Sequence, residues 1–226
     1  MTHPRSHSST HCCDRVLGHN AARMFAHPAP LLRKPVVRKL IEESSGTIIE
    51  YGAGCLRNAL YLQERGWTVA VVELPRVRAR FPLQYQRFKQ AGGYLLEWNP
   101  GEGRAARCPS WPPGPPRKYD LALMTFVLET LCRPCWRTAL LSDCSSRLKP
   151  TGTLLLSLRG VSDVVTRYAR GVRCSDGYLT PLRTFVRSYT CRQANQLLRS
   201  AGFTEIIFLH KKRTLSPELL HLMAKR

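Results

Sequence analysis

The sequence predicts one α/β domain built on a doubly wound, mostly parallel β-sheet. Three observations support this prediction: short apolar segments alternate with segments of helical period, 43% of the residues are hydrophobic, and the chain is 226 residues long. This composition and length suit a single domain with a full core. Strands that are joined through helices run parallel, with right-handed crossovers.

The elements follow one another in a regular order. Residues 1–28 lack a sustained period and are predicted to be a flexible tail, and residues 29–226 are predicted to be the folded domain. The predicted strands cover residues 47–51, 68–73, 94–97, 119–125, 153–158 and 204–209. The predicted helices cover residues 30–43, 56–65, 76–90, 136–148, 191–200 and 216–224, and Pro82 should kink or shorten the third. Residues 99–118 and 159–189 are predicted to be loops.

The net charge of +20 raises the question of a nucleic-acid partner. Such a surface attracts phosphate backbones through counterion release. The basic residues are 27 arginines and only 8 lysines, however, and they are spread along the chain, a bias that GC-rich coding alone can produce. Nucleic acid is therefore kept as an alternative partner.

The composition also indicates the cellular location of the protein and the chemical state of its cysteines. No apolar run is long enough to cross a bilayer, and the first 20 residues lack the apolar core of a signal peptide, so a cytoplasmic protein without membrane insertion is expected. The nine cysteines should then be mostly free thiols. Cys132 and Cys135 form a single C-x-x-C, which no second pair completes, so no metal site is predicted.

A glycine turn after the first predicted strand is the main functional signal. Glu50 and Tyr51 are followed by Gly52-Ala53-Gly54, directly before a helix. Glycines there let the backbone turn tightly and approach a ligand. The third glycine of a dinucleotide fingerprint is missing, which disfavours an NAD enzyme. Glu73 ends the second strand, 19 residues beyond Gly54, where a carboxylate can accept both hydroxyls of a ribose. The pattern predicts an adenosine-type ligand.

Five segments in sequence order resemble class I S-adenosylmethionine-dependent methyltransferases of the ubiquinone-biosynthesis and tellurite-resistance types. They are an acid followed by GxG at 47–54, a helix opened by an Arg-Asn pair at 56–62, "D-x-x-x-x-x-x-V-L-E" at 119–129, a turn similar to "L-K-P-G-G" at 148–155, and a helix ending similar to "L-L-x-x-A-G-F" at 189–203. The resemblance covers residues 47–209. It implies a Rossmann-like fold, S-adenosylmethionine as the cofactor and methyl transfer as the reaction.

The resemblance also implies where the methionine part of the cofactor would bind. Gly52 and Gly54 would pass beneath it, and Glu50 would hold its amino group. Arg57 and Asn58 open the next helix, where Arg57 would neutralise the cofactor carboxylate. An exposed helix arginine is the alternative role for Arg57.

The adenosine part is assigned in the same way. Glu73 would bind the ribose, and Leu74 would pack against the adenosine or the core. Glu97 and Trp98, at the end of the third strand, would flank the adenine, with Trp98 as the stacking partner.

Residues at and after the ends of the fourth and fifth strands would surround the transferred methyl group and the methyl acceptor. Thr125 and Phe126 would line the methyl side, and Thr130 stands where the family commonly has His, so no base is expected there. The Arg-rich connection beyond the fifth strand suggests an anionic acceptor, or else is a solvated surface loop. The candidate acceptor-binding residues in it are Arg159, Arg173, Tyr178 and Arg183. The predicted helix over 216–224 leaves no obvious segment for the family's final antiparallel strand.

Three functions are compatible with these observations. The first is methyl transfer to a small-molecule acceptor, in which the protein chiefly aligns the reactants and excludes water. The second is methylation of RNA or DNA, although base-amine and Pro-Cys nucleophile signatures are missing. The third is a non-catalytic adenosine-binding or interaction module. The sequence identifies neither the acceptor nor the oligomeric state.

Overall fold

A seven-stranded sheet forms the centre of the computed structural model, which describes residues 27–43, 46–97, 118–168, 171–174, 176–209 and 218–226. The tail predicted over 1–28 lies outside these residues except for its last two. The strands of the sheet are β1 (Thr47–Tyr51), β2 (Thr68–Glu73), β3 (Tyr94–Glu97), β4 (Tyr119–Thr125), β5 (Leu148–Arg159), β9 (Glu205–Phe208) and β10 (Leu219–Lys225). The strands β6 (Val172–Cys174), β7 (Gly177–Leu179) and β8 (Phe185–Val186) form a separate, smaller sheet.

The strand order is β3-β2-β1-β4-β5-β10-β9. The first five strands in this order pair in parallel, as the sequence predicts. The order reverses direction between β1 and β4, and ligands of such sheets bind beyond the carboxyl ends of the strands at this switch point. The predicted fold class is therefore confirmed.

The final segment corrects the sequence analysis, because the helix predicted there is a strand. Strand β10 lies between β5 and β9 and is antiparallel to both. Leu220, Leu222 and Ala224 belong to the hydrophobic core on one face of the sheet. His221 and Met223 lie on the opposite face, where His221 is also buried. The doubt about a final antiparallel strand was wrong, since two neighbours supply the hydrogen bonds that a seven-residue strand needs.

Helices cover both faces of the main sheet. They are α1 (Pro35–Glu43), α2 (Arg57–Gln63), α3 (Pro75–Arg78), α4 (Pro82–Gln90), α5 (Pro134–Arg147), α6 (Val161–Tyr168) and α7 (Cys191–Ser200), with 3-10 helices over Pro30–Arg33 and Leu128–Thr130. One core contains buried residues of α1, α2 and α4, and the other contains those of α5 and α7. Pro82 begins α4, so the helix predicted over 76–90 is divided there.

The predicted loop over 159–189 also contains regular structure. It holds α6 and a three-stranded antiparallel sheet of β6 (Val172–Cys174), β7 (Gly177–Leu179) and β8 (Phe185–Val186). Gly177 has no Cβ, and one added there would lie 2.4 Å from the carbonyl oxygen of Val186. Among the described residues, no helix is long and apolar enough to cross a membrane.

Candidate functional site

Polar side chains form a row on one face of the sheet, near the carboxyl ends of the parallel strands. In the strand register Glu73 lies opposite Glu97, and Thr125 lies opposite Ser157. Glu50 is on the same face, because it pairs with Val71, two residues before Glu73. Tertiary structure therefore brings together strand-end residues that are up to 107 positions apart in the sequence, counting from Glu50 to Ser157.

The glycine turn after β1 has the backbone that the sequence predicts. The φ angles of Gly52 and Gly54 are 67° and 57°, which lie in a backbone region that residues other than glycine rarely adopt. A Cβ on Gly52 would lie 2.5 Å from Cγ2 of Val127, just beyond β4. Gly52 is therefore required by packing against the end of β4 as well as by its own conformation.

Glu73 reaches from the end of β2 to this turn. Its carboxylate accepts hydrogen bonds from the backbone N–H of Gly54 at 2.7 Å and of Leu74 at 2.8 Å. Burial raises the pKa of Glu73 to about 7, although these N–H donors lower it. Tyr85, which lies on α4, donates from its hydroxyl to the carbonyl oxygen of Gly54 at 3.0 Å and so stabilises the glycine turn.

Glu50 is fully buried beneath the turn. Asn58 Nδ2 donates to Glu50 Oε1 at 2.7 Å, and Glu50 Oε2 has no hydrogen-bond partner among the described residues. Burial raises the pKa of Glu50 to about 7, although Asn58, Arg57 and the backbone N–H of Ala59, which is near but makes no hydrogen bond of good geometry, lower it. An unpartnered buried carboxylate oxygen is costly, so it fits a site that takes an ammonium or another donor from a ligand.

Asn58 connects the turn to its surroundings. Its Nδ2 also lies 3.3 Å from Thr125 Oγ1, and its Oδ1 accepts from the backbone N–H of Ala29 at 2.8 Å. Arg57, the preceding residue, donates to the carbonyl oxygen of His27 at 3.4 Å. The Arg-Asn pair therefore ties the segment before the first 3-10 helix to Glu50 and Thr125.

The remaining predicted adenosine-side residues lie at the edge of this region. Leu74 is half-buried and contacts both cores. Glu97 is exposed and forms an ion pair with Arg78. Trp98 lies outside the described residues, so its predicted stacking role stays a prediction.

The residues predicted to line the methyl side lie where β4 ends. Phe126 has a φ of 60°, which is strained for a residue with a large side chain, and its N–H donates to the Ser157 carbonyl oxygen at 3.0 Å. The guanidinium of Arg159 lies 5.3 Å from the centre of the Phe126 ring. Thr130, in the following 3-10 helix, donates to the Val127 carbonyl oxygen.

Glu129 is a buried acid to which the sequence analysis gave no role. It has no exposed surface, and neither carboxylate oxygen has a hydrogen-bond partner among the described residues. The Nε of Arg159 is 3.9 Å from Glu129 Oε1. Burial raises the pKa of Glu129 to about 8, although the backbone N–H groups of Glu129 and Arg159 lie near enough to lower it somewhat. Only the "V-L-E" segment marked this position in the sequence.

Two of the predicted acceptor-binding residues lie side by side on the small sheet. Arg173 of β6 pairs with Tyr178 of β7, and Arg173 and Arg183 are exposed. Arg159 is instead at the end of β5, where it donates to Asp163 at 2.5 Å. The structure therefore separates Arg159, which has acidic neighbours, from the exposed arginines of the small sheet.

An ion-pair cluster joins the small sheet to the main domain. Asp176, between β6 and β7, pairs with Arg137 of α5 at 2.8 Å and with Arg187. Arg137 is 2% exposed whereas Asp176 is 36% exposed, so water reaches the acid but not the guanidinium. The backbone N–H of Arg187 donates to the Glu129 carbonyl oxygen at 3.0 Å, which places the small sheet beside Glu129.

Ser157 and His221 form a second pair that the sequence analysis missed. Ser157 Oγ and His221 Nδ1 are 2.9 Å apart, and both residues are buried. The alternation of Leu220, Leu222 and Ala224 around His221 was the available signal for this strand. Cys132 is buried and Cys135 exposed, and no group of three or more possible metal-binding side chains occurs in the described part of the chain.

Comparison with known proteins identifies the class. A family model described as a methyltransferase domain matches residues 21–206. The chain belongs to this methyltransferase-domain family. The predicted class, an S-adenosylmethionine-dependent methyltransferase, is thereby confirmed. A search of curated proteins finds no match.

Several solved structures share the fold. The CcbJ methyltransferase from Streptomyces caelestis is 15% identical, with a TM-score of 0.62 over 97% of this chain and 99% of that one. A Burkholderia thailandensis 1,6-didemethyltoxoflavin N1-methyltransferase, solved with that compound and S-adenosylhomocysteine, is 18% identical, with a TM-score of 0.57 over 88% and 78%.

Human N-acetylserotonin methyltransferase, solved with S-adenosylmethionine, is 18% identical, with a TM-score of 0.52 over 80% of this chain and 47% of that one. The chain thus spans from about half to nearly all of the length of the solved structures that it matches. At these identities the similarity establishes the fold.

Proposed function

We propose that this protein transfers a methyl group from S-adenosylmethionine to a small-molecule acceptor, with the cofactor bound over the turn between β1 and α2. The observation that carries the proposal is the unpartnered, buried Oε2 of Glu50 directly before a glycine turn with positive φ angles. S-adenosylmethionine carries an ammonium group, which is the kind of donor that this oxygen lacks.

The roles of the other cofactor residues follow from their places around the turn. Glu73 would accept from the ribose hydroxyls while it keeps Gly54 and Leu74 in place. Arg57, on the first turn of α2, would pair with the cofactor carboxylate. Glu97, and Trp98 after it, would flank the adenine at the end of β3. Thr125 and Phe126 would border the transferred methyl group.

The protein's contribution to the reaction is mainly alignment. S-adenosylmethionine, when bound, supplies a methyl group on a sulfonium, an excellent leaving group. Asn58 holds Glu50 and Thr125 in fixed positions, and the buried Ala29, whose N–H donates to Asn58, shields it from water. Such positioning raises the rate without a reactive side chain, because displacement needs nucleophile, carbon and sulfur in line.

A small molecule is the favoured acceptor. The named acceptors of the two ligand-bound structures, a didemethyltoxoflavin and an N-acetylserotonin, are small molecules. An anionic acceptor would use Arg173, Tyr178 and Arg183, which lie on the small sheet. The nucleic-acid alternative depends on the net charge of +20, which is spread along the chain rather than gathered in one basic block.

Calorimetric titration with S-adenosylmethionine, S-adenosylhomocysteine and NAD tests the proposal. We expect micromolar binding of the first two and none of NAD, since the turn lacks the third glycine of a dinucleotide site. The Glu73→Ala variant should lose on the order of 1.5 to 3 kcal/mol of cofactor affinity. The Glu205→Ala variant is the control, because Glu205 is exposed on the edge strand β9. Silence towards all three ligands would favour the non-catalytic module instead.

A further inference from the structure

Glu129 lacks the partners that a buried carboxylate normally has. It is 0% exposed, and no donor makes a hydrogen bond of good geometry to either oxygen among the described residues. Buried charged groups without hydrogen bonds are costly and uncommon, because burial removes the water that would otherwise solvate them. Such a group is a candidate for contact with a ligand.

The position of Glu129 places it on the acceptor side of the proposed site. It lies three residues after Phe126, in the 3-10 helix that follows β4. Arg159 connects the two residues, since its guanidinium lies over the Phe126 ring and its Nε is 3.9 Å from Glu129 Oε1. In the proposed reaction Phe126 borders the transferred methyl group, so the acceptor would approach this region.

The charges around Glu129 favour a particular kind of acceptor. Arg159 donates to Asp163 at 2.5 Å and also faces Glu129, so one guanidinium is shared by two buried acids. Other nearby groups are the backbone N–H groups of Glu129 and Arg159, the Tyr189 hydroxyl, which donates to the Leu128 carbonyl oxygen, and Arg187, which pairs with Asp176. A second anion here would meet two carboxylates, whereas an N–H or O–H group would give Glu129 the donor that it lacks.

We propose that Glu129 binds the methyl acceptor through an N–H or O–H group, so that the acceptor is an amine or an alcohol rather than a carboxylate. This inference rests on the proposed methyltransferase function and adds to it the class of acceptor. In the reaction a lone pair on the acceptor nitrogen or oxygen forms the bond to the methyl carbon. The carbon–sulfur bond breaks, its electron pair stays on sulfur, and the acceptor proton passes to a Glu129 carboxylate oxygen.

Three compounds with one ring and different functional groups test this proposal: benzylamine, benzyl alcohol and benzoate. Their binding to protein saturated with S-adenosylhomocysteine is measured by ligand-observed NMR titration at pH 9, where a Glu129 carboxyl with a pKa of about 8 is ionised. We expect benzylamine to bind more tightly than benzoate. The Glu129→Gln variant should weaken benzylamine binding by about tenfold or more, the usual effect of losing a charge-assisted hydrogen bond, and leave benzoate binding unchanged or tighter.

Two further variants separate this effect from a loss of folding. Glu129→Met removes the hydrogen-bonding group in a shape that suits a buried position, and it should have the same effect as Glu129→Gln. Glu205→Gln makes the same charge change on the exposed edge strand and should change nothing. Each variant is first shown to bind S-adenosylhomocysteine as tightly as the unmodified protein does.

The possible outcomes are distinguishable. Equal or tighter binding of benzoate, no binding of any of the three compounds, or unchanged benzylamine binding in both Glu129 variants would overturn the role of Glu129. The proposed cofactor site would stand in each of these cases. Failure of the unmodified protein to bind S-adenosylhomocysteine would overturn the proposed function, and this inference with it.

Discussion

The proposed cofactor side and the proposed acceptor side of the site differ in the hydrogen bonds that their buried carboxylates accept. Glu50 and Glu73 accept hydrogen bonds from Asn58 and from the backbone of the glycine turn. Glu129, beyond β4, has a distant guanidinium at 3.9 Å and no hydrogen bond of good geometry among the described residues. Burial raises the pKa of all three acids, and most for Glu129. The acids of the proposed cofactor side are thus held by hydrogen bonds, with only Glu50 Oε2 left without a partner, whereas Glu129 on the proposed acceptor side has neither oxygen held in this way.

The two sides meet at Gly52, and the largest expected effect comes from disturbing that contact. Gly52→Ala should destabilise the protein by about 3 to 4 kcal/mol, because it combines a strained positive φ with a clash against Val127. Gly66→Ala is a matched control, since Gly66 also has a positive φ but nothing within 4 Å of an added Cβ. It should cost about 1 kcal/mol. Equal losses in urea unfolding would show that the Val127 contact is unimportant.

Glu129 should lower stability at alkaline pH. Its folded pKa of about 8 lies above the usual value, so the folded state holds more protons than the unfolded state between about pH 4.5 and 8. Stability therefore falls as the pH rises through this window. Glu129→Gln should raise the free energy of unfolding at pH 8 by roughly 2 to 4 kcal/mol and leave it nearly unchanged at pH 4.5. Urea unfolding at the two pH values measures this change.

Glu73→Gln provides the contrast on the cofactor side. A neutral amide oxygen cannot accept from Gly54 and Leu74 as well as the carboxylate does, so part of the benefit of removing the charge is lost. The gain in stability at pH 8 should therefore be smaller than that of Glu129→Gln. A gain as large or larger would remove the distinction between the two sides.

Asn58 should contribute through its partners rather than by itself. Asn58→Ala leaves Glu50 and the Ala29 N–H without a hydrogen-bond partner and should cost about 2 kcal/mol. In the Glu50→Gln background the same change should cost less, because the buried charge is already gone. A double-mutant cycle on the free energy of unfolding measures this coupling, and strict additivity would contradict the proposed network.

A surface ion pair should have the smallest effect. Arg38→Ala removes an exposed pair with Glu42 on α1 and should change stability by no more than about 0.5 kcal/mol, because water screens the interaction. The thermal unfolding midpoint measures this change. A large shift would mean that Arg38 stabilises α1 through contacts other than the pair with Glu42.

The sequence by itself determined the class of fold, and it supplied the residues of the proposed cofactor side. Helical and strand periods, the glycine turn and Glu73 are local signals, because hydrophobic spacing and backbone conformation act over a few residues. The resemblance to a known family added Glu50 and Asn58, which lie eight residues apart. A resemblance in motif order could then assign their class.

Only the tertiary structure decided the end of the sheet and the surroundings of Glu129, on which the proposed acceptor side rests. Strand β10 is a strand because β5 and β9 supply hydrogen bonds from both sides, and this pairing also brings His221 to Ser157 across 64 positions. The residues that surround Glu129 come from β5, α6 and the segment after β8, so its lack of donors depends on long-range packing. Pairing and burial of this kind depend on contacts between distant segments, and the periodicity of a short segment carries no information about those contacts.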